Sequence, residues 1–459
     1  MFIKNTDALL NLARNSMETD VLHVLLSTIE DVLDFAQPSN IMSDSISFSA
    51  NILKINANTV DLSLYNNFYL VAFGKASQTM SSWMLDNFPL SFSRIIIVSP
   101  EECNDELSSL PFCRCFKGGH PIPNEQSVLA AEEVLILLKS LTKSDLCFFL
   151  VSGGGSALLE SPDFGISLQE YVQLQQGLLS CGAPIHEINT IRKHFSKVKG
   201  GKLVASSNTN ILSFIISDVI GSDPSFIASG PTVPDKTTWE DCQEIFQKYS
   251  LKDTLPRKFS DLIDQGVAGK ISETPSDCSK FTLAHNYVIG DNAKLLDFIK
   301  EKLGSSHPVE ILNYEISGEA KEVGEALAKT AMQKFGNKPL NLPSSSFSFL
   351  LFGGETTVTL SDSPGVGGRN QELAFSFILT TESHETIFLA SFGTDGIDGN
   401  SQAAGAIVGP FTLLEKGSIK YLLSNDVNSF FKKYGGELNT GYTGTNMMDI
   451  GIICIVREK

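Results

Sequence analysis

Residues 71 to 77 read VAFGKAS, an apolar strand that runs straight into Gly74, Lys75, Ala76 and Ser77. A lysine held where a buried strand gives way to a helix can contact phosphoryl or carboxylate oxygens as a point charge. Four further loops rich in Gly and polar groups follow apolar runs in the same way: SGGGS at 152 to 156, SDVIGSDPSFIASGPT at 217 to 232, GGETTVTLSDSPGVGGRNQE at 353 to 372, and TDGIDGNSQAAG at 394 to 405. In a doubly wound sheet such loops lie outside the carboxyl ends of the strands, where ligands bind. Any one of them could be an ordinary tight turn, since glycine is the default residue there. Five at equivalent positions favour a shared site for an anionic ligand.

Ser152, Gly153, Gly154, Gly155 and Ser156 combine approachable backbone N–H groups with two hydroxyls. The Ala-Leu-Leu that follows suits a helix with a partly positive N-terminus, so the stretch reads as a phosphate or carboxylate cradle. A flexible turn is the plainer alternative. Gly367, Gly368, Arg369 and Asn370 open another helical stretch, and the planar fork of Arg369 suits two-point contact with oxyanions. There the plainer alternative is a surface salt bridge.

Two nucleotide fingerprints are missing. A Walker loop needs Gly-x-x-x-x-Gly-Lys-Ser/Thr, but Tyr69 stands where the first glycine belongs and Ala76 follows Lys75; GVAGKIS at 266 to 272 fails at Asp264. SGGGSALLE lacks the third glycine of the dinucleotide pattern. An ordinary P-loop kinase and an ordinary NAD dehydrogenase both lose ground. NTIRKHFSKVKGGKL gathers Arg192, Lys193, Lys197, Lys199 and Lys202 around His194, either as a local anion-binding face or as a solvated helix side. His120 precedes a helix that Asn124 or Ser127 could cap, and a turn role outweighs a catalytic one. No histidine stands with a serine and an aspartate as a hydrolase triad requires.

The elements that must position these loops follow from hydrophobic pattern. Helical spacing over residues 1 to 36 predicts one or two amphipathic helices. FYLVAFGKAS, RIIIVSP, LCFFLVSGGGS and ILSFIISDVIGSD are strand-length apolar runs, and SVLAAEEVLILLKSL between two of them is helical. Fully apolar strands alternating with helices indicate a parallel sheet covered on both faces. The second half repeats the style with VEILNYEIS, a long helix from Gly318 to about Phe335, SFLLFGGETTVTL, TIFLASFGTDGIDG and DIGIICIV, with NKPLNLPSSS as a loop. Polar stretches around 233 to 280 mark the boundary, giving domains at 1–245 and 246–459.

At 459 residues the chain is long enough for two cores. A net charge of -17 argues against nucleic-acid and anionic-membrane surfaces, which offer an acidic protein no counterion release. No run reaches the roughly 18 to 20 apolar residues of a membrane span, and the N-terminus lacks the apolar core of a signal peptide. The expectation is a cytoplasmic protein whose eight cysteines are reduced and mostly buried.

Taken in series, VAFGKAS, GGHPIPNEQS, VSGGGSALL, INTIRKHFSKVKGGKL, SDVIGSDPSFIASGPTVPD, HNYVIGDN, GGETTVTL with GVGGRNQELA, ASFGTDGIDG and TGYTGTNMMDI resemble the class II glycerate kinases, whose C-terminal part is called the MOFRL domain. They run in family order from about residue 71 to 450, and the MOFRL region would span about 347–455. The resemblance implies an α/β fold with a Rossmann-like parallel-sheet domain and a smaller α/β domain, facing each other across a cleft that holds the active site. It implies ATP-dependent phosphorylation of D-glycerate, giving 2-phosphoglycerate and ADP, with Mg²⁺.

In the family's terms Lys75 and Arg369 are the catalytic pair. The SGGGS residues, Arg192, Gly367, Gly368 and Asn370 are then candidates for substrate or phosphate contact. Asp218, Asp223, Asp395 and Asp398 are the carboxylates available for proton acceptance or metal, the first three being the metal candidates; aspartates beside glycines are also ordinary turn residues. Partners are small molecules, and a homodimer is a possible assembly. Tyr442 stands where the family usually has proline, and Asp291 where serine is common. The alternatives are a kinase of another small hydroxy acid, an NAD(P)H-dependent hydroxypyruvate reductase and a non-catalytic ligand sensor.

Overall fold

The structure is a computed structural model that describes residues 1–277, 279–336, 346–382 and 384–457. Most of the loop expected at NKPLNLPSSS, and Cys278, lie outside the described residues. The chain forms two compact units, Ile41–Ile289 and Met1–Asn40 with Gly290–Lys459. This division is not the single cut expected at 245. Residues 246 to 289 remain with the first unit because the helices Trp239–Lys248 and Arg257–Val267 pack with Ile185–Phe195 around Trp239, Phe195 and Phe259. Of the polar stretches that suggested a boundary, 233–243 leads into the first of these helices and 271–280 follows the second. The first forty residues join the second unit, where Phe35 stacks on Phe298 with ring centroids 4.2 Å apart and the Lys4 N–H donates to the Asn439 carbonyl at 2.7 Å. Where one or two N-terminal helices were expected there are two, Thr6–Leu10 and Ser16–Phe35.

The unit Ile41–Ile289 begins with a three-stranded antiparallel meander, β1 (Ile46–Ser49), β2 (Ile52–Ile55) and β3 (Asn58–Asp61). Its main sheet contains β4 (Asn67–Phe73), β5 (Phe92–Ser99), β6 (Cys113–Lys117), β7 (Asp145–Val151), β8 (Asn210–Ile216) and β9 (Ala284–Gly290), in the order β6-β5-β4-β7-β8-β9. The pairs from β6 through β8 are parallel. Every residue of β7 is buried, as an apolar strand covered on both faces should be. Strands are laid down to one side of β4 first and then to the other, so the order reverses between β4 and β7. Phe73 pairs with Val151 there, so the loops GKAS and SGGGS leave the sheet side by side.

The other unit holds β10 (Val309–Ile316), β11 (Ser346–Gly354), β12 (Ile387–Gly393), β13 (Gly405–Val408), β14 (Glu437–Leu438) and β15 (Asp449–Arg457), in the order β10-β11-β15-β12-β13-β14. This sheet is mixed: β10 and β11 are parallel, whereas β15 runs antiparallel between β11 and β12. Apolar runs alone do not distinguish the two directions. The helices Ala320–Gly336 and Arg369–Thr381 supply Ala328, Ala331, Phe375 and Phe377 to a core with Leu389, Phe430 and Ile453.

The reduced-cysteine expectation is corrected at one pair, because Cys103 and Cys115 form a disulfide. Strand β6 returns Cys115 to the loop after β5, a proximity that the sequence spacing did not reveal. Cys113, Cys147, Cys181, Cys242 and Cys454 are free. No described helix is long and apolar enough to cross a membrane.

Candidate active site

Gly74 has φ +129°, and a Cβ there would lie 2.2 Å from Ser152 Oγ and 2.6 Å from the Ser152 carbonyl. Only glycine lets the two loops meet this closely. The Lys75 N–H donates to the Gly153 carbonyl at 2.9 Å and the Ala76 N–H to Ser152 Oγ at 3.0 Å, so Ser152, itself buried, holds the loops together. The Lys75 backbone is thus pinned while its side chain is exposed, with no hydrogen bond or ion pair among the described residues. Gly154, at φ +83°, leaves room for the His120 ring and the Lys75 stem, 3.1 Å and 3.5 Å from a Cβ placed there. A Cβ on Gly153 would lie 2.2 Å from Asp218 Oδ2.

Lys75, His120, Gly153, Gly154 and Asp218 therefore converge at the point where the strand order reverses. Burial pushes the Asp218 carboxyl above its ordinary value, with Lys75 opposing the shift. Burial and the nearby Lys75 charge hold the His120 imidazole below its own, favouring the neutral ring. A cavity of about 230 Å³ opens beside them, lined by His120, Gly154, Ser156, Asn189, Arg192 and Asp218 among others.

Arg192 donates from Nε to Gln175 Oε1 at 2.5 Å. Deeper in the unit, Glu160 accepts from the Tyr171 hydroxyl at 2.5 Å and pairs with the buried Lys199. Lys197 is exposed and solvated, but the remaining lysines fit neither sequence alternative. Lys193 pairs with the buried Asp235 at 3.1 Å, and Lys202 Nζ donates to the carbonyls of His194 and Ser196, closing the C-terminus of the helix Ile185–Phe195. His194 is buried between the Thr190 carbonyl and Glu273. The helix after His120 has the expected cap, with Asn124 Oδ1 accepting from the Ser127 N–H at 2.9 Å.

In the other unit Arg369 opens the helix Arg369–Thr381 between two carboxylates. Its Nε and Nη2 donate to Asp449 Oδ2 and Oδ1 at 2.6 and 3.0 Å, and its Nη1 to Glu355 Oε1 at 2.5 Å. Burial works against the Arg369 charge, but Asp449 and Glu355 outweigh it and hold the guanidinium pKa above its ordinary value. Burial pushes Asp449 up to about 6 despite the pull of Arg369. Asp398 accepts from the Asn370 and Gln371 N–H groups at 2.9 and 2.8 Å, filling the helix N-terminus, while burial pushes its carboxyl up to about 7. The Gly367 N–H donates to Asn400 Oδ1 at 2.9 Å. A Cβ on Gly368 would lie 2.3 Å from Asp398.

The candidates thus fall into two groups, Lys75, the SGGGS residues, Arg192, Asp218 and Asp223 in one unit and Arg369, Gly367, Gly368, Asn370 and Asp395 in the other. Asp223 is exposed and accepts from the Ser225 N–H at 2.8 Å; Asp395 accepts from the Ile397 N–H at 3.1 Å, each in a local turn. Among the described residues no group of three or more His, Cys, Asp or Glu could hold a metal ion. Asp449 and Glu355 escaped the sequence reading. The available signal was a carboxylate opening the otherwise apolar strand DIGIICIV.

Residues 24–264 match the family described as a domain of unknown function, DUF4147, and residues 348–449 match the MOFRL family. A protein of Pyrococcus horikoshii named glycerate 2-kinase is 36% identical over 447 residues, covering 96% of this chain and 98% of that one. The chain belongs to the class II glycerate kinase family. A crystal structure titled glycerate kinase, from Thermotoga maritima, matches with a TM-score of 0.79 and 32% identity over 95% of this chain and 99% of that one. A protein of Agrobacterium vitis named putative hydroxypyruvate reductase is 36% identical over 74% of this chain and 88% of its own.

Proposed function

We propose that this chain transfers a phosphoryl group from ATP to the 2-hydroxyl of D-glycerate, giving 2-phosphoglycerate and ADP. The observation that carries the reading is the meeting of Lys75 with Gly153, Gly154 and Asp218 at the reversal of strand order, in a chain related over nearly its whole length to a protein named glycerate 2-kinase. Phosphoryl transfer needs little covalent help and much alignment and charge neutralisation.

In this account Lys75 contacts the transferring phosphoryl group or the glycerate carboxylate, and Arg369 supplies the second cationic contact. Arg192 and the SGGGS backbone orient the acceptor's oxyanions. Asp218 takes the proton of the attacking hydroxyl, its raised pKa bringing it nearer to the working pH of a general base. A Mg²⁺ ion, which commonly binds through one or two carboxylates plus substrate phosphates, would supply further charge neutralisation at the transferring phosphoryl group. A coupled ADP assay with Mg-ATP and D-glycerate tests the reading. ADP release that requires D-glycerate supports it. NADH oxidation by hydroxypyruvate without glycerate-dependent ADP release would replace it with the reductase.

A further inference from the structure

The unit containing Arg369 carries a second cavity, of about 540 Å³, whose size the contacts given to Arg369 do not explain. That volume falls within the roughly 300 to 1,000 Å³ of small-molecule sites. Arg369 and Glu355 form one part of the lining, and Val358, Leu360 and Pro364 form an apolar part. Leu360 is 64% exposed, which leaves apolar surface uncovered at the cavity.

Glu372 also lines the cavity, although the residue is only 3% exposed. Its Oε1 accepts from Asn425 Nδ2 at 2.7 Å, and its Oε2 has no hydrogen-bond partner among the described residues. Burial pushes the Glu372 carboxyl up, with Asn425 and Lys321 opposing, as expected of a carboxylate withdrawn from water. That oxygen is not among the buried unpaired atoms, so it is reached from the cavity, where a ligand carrying N–H or O–H groups would donate to it. Glu372 repels a phosphate, so the oxyanion end of such a ligand belongs at Arg369 and a neutral donor-bearing body belongs against Glu372 and Leu360. A nucleoside phosphate has this polarity.

We infer that this cavity seats the nucleoside of the phosphoryl donor, with Glu372 accepting a hydrogen bond from it and Arg369 meeting its phosphate end. The inference rests on the kinase reading given above. ADP binding by calorimetry, and KM values for ATP and D-glycerate, test it in Glu372→Gln and in Leu360→Glu, the latter at an exposed position where folding is not at risk. Both variants should weaken ADP binding and raise KM for ATP about tenfold or more, the scale of one hydrogen bond to a charged group, while KM for D-glycerate stays within about twofold. Unchanged ADP affinity in both variants overturns the inference, as does a rise confined to KM for D-glycerate. A wild-type chain that binds ADP, more weakly in the variants, yet phosphorylates no glycerate would sustain the cavity assignment and sink the kinase reading.

Discussion

Arg369 and Asp449 form a two-point pair, with Nε to Oδ2 at 2.6 Å and Nη2 to Oδ1 at 3.0 Å. The pair fixes the plane of the guanidinium and Glu355 takes one Nη1 N–H, so an anion reaching Arg369 meets the remaining N–H on each of Nη1 and Nη2, held in a preset plane. Asp449→Asn weakens one arm of that grip without removing volume. The expected result is a fall in kcat/KM of about tenfold or more, the scale of a charge-assisted hydrogen bond, with the far-ultraviolet circular dichroism retained. Unchanged kinetics in the folded variant would reduce Asp449 to a structural partner.

Lys75→Met removes the charge and keeps most of the stem. If Lys75 stabilises the developing charge, kcat should fall about a hundredfold or more, by analogy with single preorganised donors. A folded variant with near-full kcat would remove Lys75 from the mechanism.

Gly153→Ala places a methyl group 2.2 Å from Asp218 Oδ2, so the half-buried carboxylate must shift. Steady-state kinetics should show a loss of kcat of about tenfold or more, the lower end of what general-base catalysis contributes, with a smaller change in melting temperature than in rate. An alanine variant with unaltered kcat would show that the position of Asp218 is unimportant for turnover.

Asp398 makes a pH-dependent contribution to stability. Its folded pKa is raised by burial from the ordinary 3.8 to about 7, so its contribution is fully present below the unfolded value and is lost as pH rises through about 7. Asp398→Asn cannot titrate. The melting temperature of the variant relative to the parent should therefore rise between about pH 4 and pH 7. A difference that stays constant over that window would contradict the buried carboxyl.

Much of the first unit was legible because its parallel strands are continuous apolar runs, and each run ends at a Gly- or Ser-bearing loop. That GKAS and SGGGS both leave the carboxyl ends of strands followed from the sequence, whereas their being neighbours is shown only by the register Phe73–Val151. The domain division was not legible, because the polar segments before Trp239–Lys248 and after Arg257–Val267 have linker composition, while the helices themselves bury Trp239 and Phe259. Nor was the antiparallel course of β15, since a strand buried on both faces looks the same in either direction. The partners of Arg369 were hidden for a different reason: Asp449 lies 80 residues away along the chain, and sequence spacing carries no information about such a pair.

Phosphorus NMR of the products formed from ATP, Mg²⁺ and D-glycerate tests the central claim most directly. The account predicts the resonance of 2-phosphoglycerate appearing together with ADP. A 3-phosphoglycerate resonance would contradict the assigned hydroxyl, and the absence of any phosphorylated glycerate from folded protein would contradict the kinase reading itself.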